Sequence, residues 1–449
     1  MKLLFGIFNH DIILNEESGI TIIIGENGLG KTMMLEAINA LFHKDYAFFS
    51  RLEFDEFEFF FTNGEIWKLT KLLDSEICSL SISRDSLIKR VKKVTKHKIY
   101  QDTDQSSRKI AIRDRKRMIE MEIMEMEMME VDRNYHFHNE RAFYEDRLER
   151  ELAHRRMMNM RHHKRIILED DMNVSPPKWF LDSIKNIRVK LIETQRIITA
   201  KEIGSDSYVN NLNKCSQELK NMIEIATRKS SIVASELDST YPNRLVKKLR
   251  YGSRDTFEEL NTALAKLDDR RKLFSQSGFA VKISDSDLLQ IDEKQKNLVN
   301  VLKLYIDDSH QKLDPFDELS KKIKLFKGLI NKRFKHKNLE IKHDEGLVFR
   351  STVVKNKDGN YVTIPSSKLS SGEQNELILF YKLIFNSNEN DMILIDEPEL
   401  SLHISWQNKF IQDLKEVTSI NDVSIVIATH SPDIIDINWD LKVELKGVE

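Results

Sequence analysis

The sequence predicts an α/β head split around an inserted, coiled-coil-like helical domain. Three observations lead there. A short β-branched run, Ile20–Ile24, passes through Gly25-Glu-Asn-Gly-Leu-Gly-Lys31-Thr32 into a stretch, Lys31–Leu41, with Met34, Leu35, Ile38 and Leu41 on one side; that is a strand–loop–helix order. The C-terminal part alternates helix, strand, helix, strand, the pattern of an α/β sheet. Between these ends lies a long charged stretch of strong helix formers. Five segments are expected: an N-terminal lobe with the glycine loop and β-hairpins (1–90), a charged Met/Glu-rich helical arm (91–175), a strand segment returning to the head (176–204), a helical insertion (205–337) and a C-terminal lobe (338–449).

In chain order, Leu3–Phe8 and Ile20–Ile24 read as short β-rich runs. Phe57, Phe59 and Phe61 alternate toward one face, Asn63-Gly64 is a hairpin turn, and Ile66, Lys68 and Leu69 return. Cys78–Ile82 offers a third strand. From about Lys92 to Asp171 there is no Pro or Gly, and the centre, Met118–Glu130, alternates Met and Glu. A helix spreads that period around its circumference, so a solvated arm with an adaptable Met-rich surface is expected. His136, His138, His154, His162 and His163 lack metal-ligand spacing and are expected as surface histidines. Pro176-Pro177 ends the arm, and Val189–Glu193 is a strand. Residues from about Ser207 to Lys335 are helical, with breaks expected near Tyr241-Pro242-Asn243 and Ser275–Gly278. Strands return at Asn338–Ile341, Leu347–Val354 and Tyr361–Ile364, with Asp358-Gly359 as a turn.

Composition excludes several classes. Lys plus Arg (70) nearly cancel Asp plus Glu (72), so no global basic field for nucleic acid exists. Cys78 and Cys215 have no CxxC or Cys/His spacing, as for idle thiols in a reducing compartment. The apolar start soon meets His10 and Asp11, so no signal peptide is expected. The longest apolar runs, such as Ile20–Ile24 and Met392–Ile395, fall far short of the ~20 residues of a membrane helix. A cytoplasmic protein without membrane contact is expected.

The chemistry concentrates at the two ends. Gly25–Thr32 matches G-x-x-x-x-G-K-[ST], directly after a strand and opening a helix. Glycines let backbone N–H groups wrap phosphates, and the helix N-terminus adds positive potential. Asn27, Gly28, Gly30, Lys31 and Thr32 are thus expected to bind ATP. Lys31 would neutralise the β- and γ-phosphates, and the Thr32 hydroxyl would ligate Mg²⁺. Asp391–Pro398 is an apolar strand delivering Asp396 and Glu397 at its C-terminal end. Asp396 is expected to hold the metal, and Glu397 to polarise the attacking water as general base.

Leu369-Ser-Ser-Gly-Glu-Gln374 resembles the ABC signature motif. The resemblance implies that Ser370, Ser371, Gly372 and Glu373 close over the γ-phosphate held by a partner subunit, hence a dimer or higher homo-oligomer. His430, in Thr429-His430-Ser431-Pro432 after the apolar run Ile425–Ala428, resembles the switch histidine that contacts the γ-phosphate and water. Gln195, after Val189–Glu193, resembles the Q-loop glutamine that ligates Mg²⁺.

Transporter ATPases keep phosphate loop and signature close in sequence; here Thr32 and Ser370 lie near opposite ends. SMC-like DNA-repair ATPases carry a far longer insertion with sustained heptads. Ile395-Asp-Glu-Pro-Glu-Leu-Ser-Leu-His403, with the signature and Ala428–Pro432, resembles the prokaryotic overcoming-lysogenization (OLD) group. With few residues after His430, the Toprim domain of those nucleases is not expected here. Val189–Arg196 and Leu237-Asp-Ser-Thr-Tyr-Pro-Asn-Arg-Leu245 resemble the stand-alone ATPase subunits of Septu anti-phage systems and related retron systems. What this implies is an ATPase that regulates a separate HNH nuclease, with a reverse transcriptase and retron DNA as further partners and nucleic acid reached through the complex. No nuclease constellation of its own is evident. The alternative is an SMC-like DNA-maintenance ATPase that grips DNA directly, through basic runs such as Lys89–Lys93 and Lys332–Lys337.

Overall fold

The computed structural model describes residues 1–74, 77–86, 96–102, 175–192, 198–199, 209–251, 256–279, 281 and 296–447. The chain begins with a reversal. Leu3–Phe8, expected as a strand, makes only the isolated bridge Leu4 to Phe8, with Lys2 just before it bridged to Glu56. Leu3, Phe5 and Gly6 all have positive φ. The turn folds this apolar segment back on itself with Leu4 completely buried.

β1, Ile20–Ile24, is β-branched and buried. The loop after it opens the helix Lys31–Phe42, which buries Met34, Leu35, Ala37, Ala40 and Leu41. β2 (Glu56–Phe60) and β3 (Glu65–Asp74) form the expected hairpin, with Gly64 at φ 78° in its turn. β4 (Ile77–Ser86) and β5 (His97–Asp102) complete an antiparallel sheet in the order β2-β3-β4-β5. β5 falls where composition predicts helix. Its backbone pairs with β4 from Cys78–Asp102 to Ile82–His97, and Ile99 is buried in the core, so tertiary pairing overrides local propensity. The Met/Glu run and its histidines lie outside the described residues.

The chain then forms the helix Lys178–Asn186 and β6, Val189–Ile192. A short antiparallel pair follows, β7 (Ile198–Thr199) and β8 (Val209–Asn210). Among the described residues the helices Asn211–Tyr251, Phe257–Gln276, Lys296–Leu313 and Asp317–Arg333 come next. β9 (Lys337–Lys342), β10 (Gly346–Lys355) and β11 (Tyr361–Ile364) form an antiparallel sheet in the order β11-β10-β9. The helix Ser371–Phe385 leads to β12, Met392–Asp396. The helix Ile404–Asn421, β13 (Ser424–Ala428) and β14 (Lys442–Glu444) end the chain's regular structure. No helix among the described residues is long and apolar enough to cross a membrane.

These elements form two units, one of Met1–Glu193, Asn390–Glu399 and Ser424–Glu449, the other of Thr194–Glu389 and Leu400–Val423. The first unit holds a sheet in the order β14-β1-β13-β12-β6, with every neighbour parallel. Its central strands are continuous apolar runs because both faces are covered. Register places Ile23, Ala428 and Asp396 in one row across β1, β13 and β12. All three strands therefore release their loops at the same carboxyl edge, where open parallel sheets bind ligands.

The second unit corrects the expected break at Pro242. The helix Asn211–Tyr251 runs through it for 41 residues. Proline removes the N–H that would reach the Asp238 carbonyl and crowds that carbonyl, yet side chains tie together the turn before it. Thr240 supplies its hydroxyl to the Glu236 and Leu237 carbonyls, at 3.0 and 3.2 Å. The Arg244 guanidinium donates to the Leu237 carbonyl at 2.8 Å while gripping Asp308 of the helix Lys296–Leu313. The expected break at Ser275–Gly278 is present, as the helix ends at Gln276. Deeper in this unit, Arg333 lies between Glu376 (2.6 Å) and Asp413, all three buried.

Candidate functional site

Three loops of the first unit meet at the carboxyl edge. In the glycine loop after β1, Gly28 and Gly30 take left-handed φ of 84° and 82°, a conformation that turns successive N–H groups into one concavity. A Cβ on Gly28 would meet nothing within 4 Å, so the loop's outer face is open. On Gly30 a Cβ would come within 2.5 Å of Leu4, so glycine there serves both conformation and space. Asn27 is exposed on the same loop.

Lys31 is buried and held by three acceptors. Its Nζ donates to the carbonyls of Gly25 (2.8 Å) and Glu26 (3.0 Å) and lies 3.2 Å from His430 Nδ1. Burial pushes its ammonium below the ordinary range, while Glu397, Glu399 and Asp396 pull it back up. An ammonium has no lone pair, so the Nδ1 contact requires a neutral ring carrying its proton on Nε2. Burial and the Lys31 charge both hold the His430 pKa below its ordinary value, consistent with that form. His430 Nε2 in turn faces Glu397 Oε1 at 3.8 Å.

The Thr32 hydroxyl donates to Asp396 Oδ1 at 3.1 Å. One hydroxyl and one carboxylate form a small set of hard oxygen donors. Mg²⁺ suits such a set, because it retains waters and takes its remaining oxygens from a nucleotide's phosphates. Among the described residues no cluster of three or more His, Cys, Asp or Glu offers a self-contained metal cage. Thr32 and Asp396 would hold Mg²⁺, and the glycine loop with Lys31 would hold phosphates. Gln195, the third expected metal ligand, lies outside the described residues.

Glu397 has φ of +42°, rare for a side chain of its size. Its N–H donates to the Ala428 carbonyl at 2.9 Å, so the bend after β12 is pinned to β13. Such bends cost about 1–3 kcal/mol and persist where the surroundings enforce them.

Sequence reasoning missed Glu399. Its two carboxylate oxygens accept from the Thr429 hydroxyl and from the His430 N–H, both at 2.8 Å. It thereby fixes the His430 loop to the turn carrying Glu397. The available signal was a third carboxylate two positions after Glu397, but only the parallel register reveals its partners.

In the second unit, Ser370 caps the helix Ser371–Phe385 in a reciprocal box with Glu373. The Ser370 hydroxyl donates to Glu373 Oε2 at 3.1 Å, and Glu373 N–H donates back at 3.3 Å. Lys337 neutralises Glu373, with Nζ at 2.7 and 2.6 Å from its two oxygens. Ser371 and Gly372 occupy the first helical turn. Lys337, which the alternative DNA-gripping reading counts among phosphate contacts, is engaged by Glu373 instead. Arg333 and Phe334 of the same basic run are buried; the other run, 89–93, lies outside the described residues.

A family model described as AAA ATPase domain matches residues 5–435. Among curated proteins, UvrABC system protein A of Clostridium acetobutylicum is 28% identical over 151 residues. That match spans 33% of this chain and only 13% of the relative's length. Among solved structures, the SmcHead bound to the C-winged helix domain of ScpA aligns over 93% of this chain and 84% of that one, at 11% identity and a TM-score of 0.29.

Proposed function

The chain belongs to the AAA ATPase domain family, and from that premise we propose that it hydrolyses Mg·ATP at the carboxyl edge of its parallel sheet. The observation that carries this reading is the convergence of three loops: Lys31 lies 3.2 Å from His430, and Thr32 lies 3.1 Å from Asp396. Lys31 and the glycine loop hold the phosphates, Thr32 and Asp396 hold the metal, and Glu397 takes the proton of the attacking water while His430 orients it. Two chains sandwich the nucleotide, with Ser370–Gly372 of one closing over the γ-phosphate bound by the other. Steady-state turnover of ATP by the purified chain, abolished in Lys31→Ala, tests this part. An undiminished rate in that variant overturns it.

The physiological role we infer is that of the ATPase subunit of a Septu- or retron-type anti-phage system, governing a separate HNH nuclease. Its support is the resemblance of Ile395–His403, Val189–Arg196 and Leu237–Leu245 to those subunits. The direct-DNA alternative leans on Lys332–Lys337, where Arg333 is buried against Glu376 and Asp413 and Lys337 is engaged by Glu373. Pull-down of the tagged protein from its host with ATP present separates the two. A co-purifying HNH nuclease supports the defence reading, and recovery with DNA alone overturns it.

A further inference from the structure

The reversal at the N-terminus places His10 beneath the glycine loop. His10 is 2% exposed, its ring stacks on Phe8 at 5.7 Å, and its carbonyl accepts from the Met1 amine at 2.6 Å. Its Nε2 lies 2.8 Å from the carbonyl oxygen of Leu29. A carbonyl can only accept, so Nε2 carries the ring proton and donates. Leu29 stands between the two left-handed glycines, and its side chain is buried as well.

A planar trans peptide points its N–H opposite its C=O. Holding the Leu29 carbonyl therefore fixes the direction of the Gly30 N–H, which points away from His10. Phosphate loops work through such amides, and their glycines give the backbone freedom to turn the wrong way. Something must hold the working orientation, and a buried donor on a separately anchored segment can do so.

We propose that His10 is a positioning residue of the phosphate loop, whose Nε2–H holds the Leu29 carbonyl so that the Gly30 amide faces the phosphates of ATP. The proposal rests on reading this loop as the ATP site. Burial holds the His10 pKa below its ordinary value, so near neutral pH the ring has one donor, and the carbonyl uses it. Among the described residues Nδ1 is buried with no hydrogen-bond partner, and the Leu29 contact is the polar engagement the ring makes there.

The test compares the full chain with its His10→Gln, His10→Asn and His10→Phe variants. Mg·ATP affinity is measured by equilibrium titration, turnover by steady-state kinetics and folding by thermal melting. Glutamine carries an amide N–H near the place of Nε2; asparagine is too short, and phenylalanine keeps the ring but has no donor. In Asn and Phe variants, Kd and KM for ATP should rise about tenfold, equivalent to about 1.4 kcal/mol, with kcat changed much less. The Gln variant should stay within about threefold of wild type because it keeps the hydrogen bond, whose loss is worth roughly two- to twelvefold. Equal affinities in the Gln and Asn variants overturn the proposal, and that pair decides alone if the Phe variant does not fold. Wild-type protein that binds no Mg·ATP overturns the site reading and this proposal together.

Discussion

The Thr32 hydroxyl donates to Asp396 Oδ1 at 3.1 Å across 364 positions of sequence. β1 and β12 each pair with β13 in parallel, so the two residues leave the sheet on the same edge. If these oxygens share a metal, Thr32→Ala and Asp396→Asn should both raise the Mg²⁺ concentration needed for half-maximal ATP turnover, Asp396→Asn more because it removes charge. Magnesium titrations of the ATPase rate check this, and an unshifted Asp396→Asn curve contradicts it.

Glu397→Gln should keep ATP binding and lose turnover. Removing a general base costs about 10²–10⁴-fold in rate, whereas Gln retains the side chain's size at the strained φ of +42°. Single-turnover hydrolysis beside equilibrium ATP binding separates the two effects. Loss of binding equal to loss of rate would assign Glu397 a structural part instead.

His430 sets an acid limit. Burial and Lys31 hold its pKa below the usual 6.5, so the neutral ring persists down to a pH below that value. The rate should therefore stay level as pH falls to 6.5 and decline only below it, as His430 gains a proton and the Lys31 contact is lost. The pH profile of kcat for wild type against His430→Ala checks this, because the variant should lose that limb along with most of its activity.

Glu399→Ala should slow turnover about tenfold or more while moving KM less. It frees the Thr429 hydroxyl and His430 N–H together, and Thr429 is fully buried. Leaving a buried donor unpaired costs about 1–3 kcal/mol. Glu399→Gln keeps one acceptor and should fall between. Equal rates for Gln and Ala variants would show that the clamp does not act on the reaction.

The buried ionic centre gives a stability prediction with a definite sign. Burial pushes the Glu376 carboxyl up to about 8, against the opposing pull of Arg333. The single Arg333 charge is then balanced by Asp413, and Glu376 holds its proton in the folded chain. The folded state thus binds more protons than the unfolded state between about pH 4.5 and 8. Stability from this group is present at low pH and falls as pH rises, by at most about 1.4 kcal/mol per unit. Thermal melts from pH 5 to 9 should show the decline in wild type and a flatter curve in Glu376→Gln. Parallel curves would contradict the assignment.

Much of the site was legible because its parts sit within a few residues of apolar β-runs. Gly25–Thr32 follows Ile20–Ile24, Asp396 and Glu397 follow Met392–Ile395, and His430 follows Ile425–Ala428. A strand's end tells where its loop emerges, and one fold class puts all such ends on one edge. The residues that hold these parts carried no such mark. His10 reaches Leu29 only because Gly6 and two left-handed neighbours reverse the chain. Glu399 reaches the His430 loop only because β12 and β13 are in register. Lys337 read as a surface charge until β9 brought it to Glu373. At Pro242 the local rule failed: the helix continues, with Thr240 and Arg244 tying the carbonyls of Glu236 and Leu237 in the turn before it.

β1 takes both its neighbours, β13 and β14, from residues 424–444. On the ribosome, the strand that launches the glycine loop is made long before its partners, which lie at residues 424–444. Sequence-distant pairing of this kind is slow to form and leaves a strand edge uncovered meanwhile. The nascent chain therefore has no assembled catalytic edge until residues 424–444 have been made. A product cut short before Ser424 would carry the phosphate motif and the acidic strand, yet lack the strand that joins them.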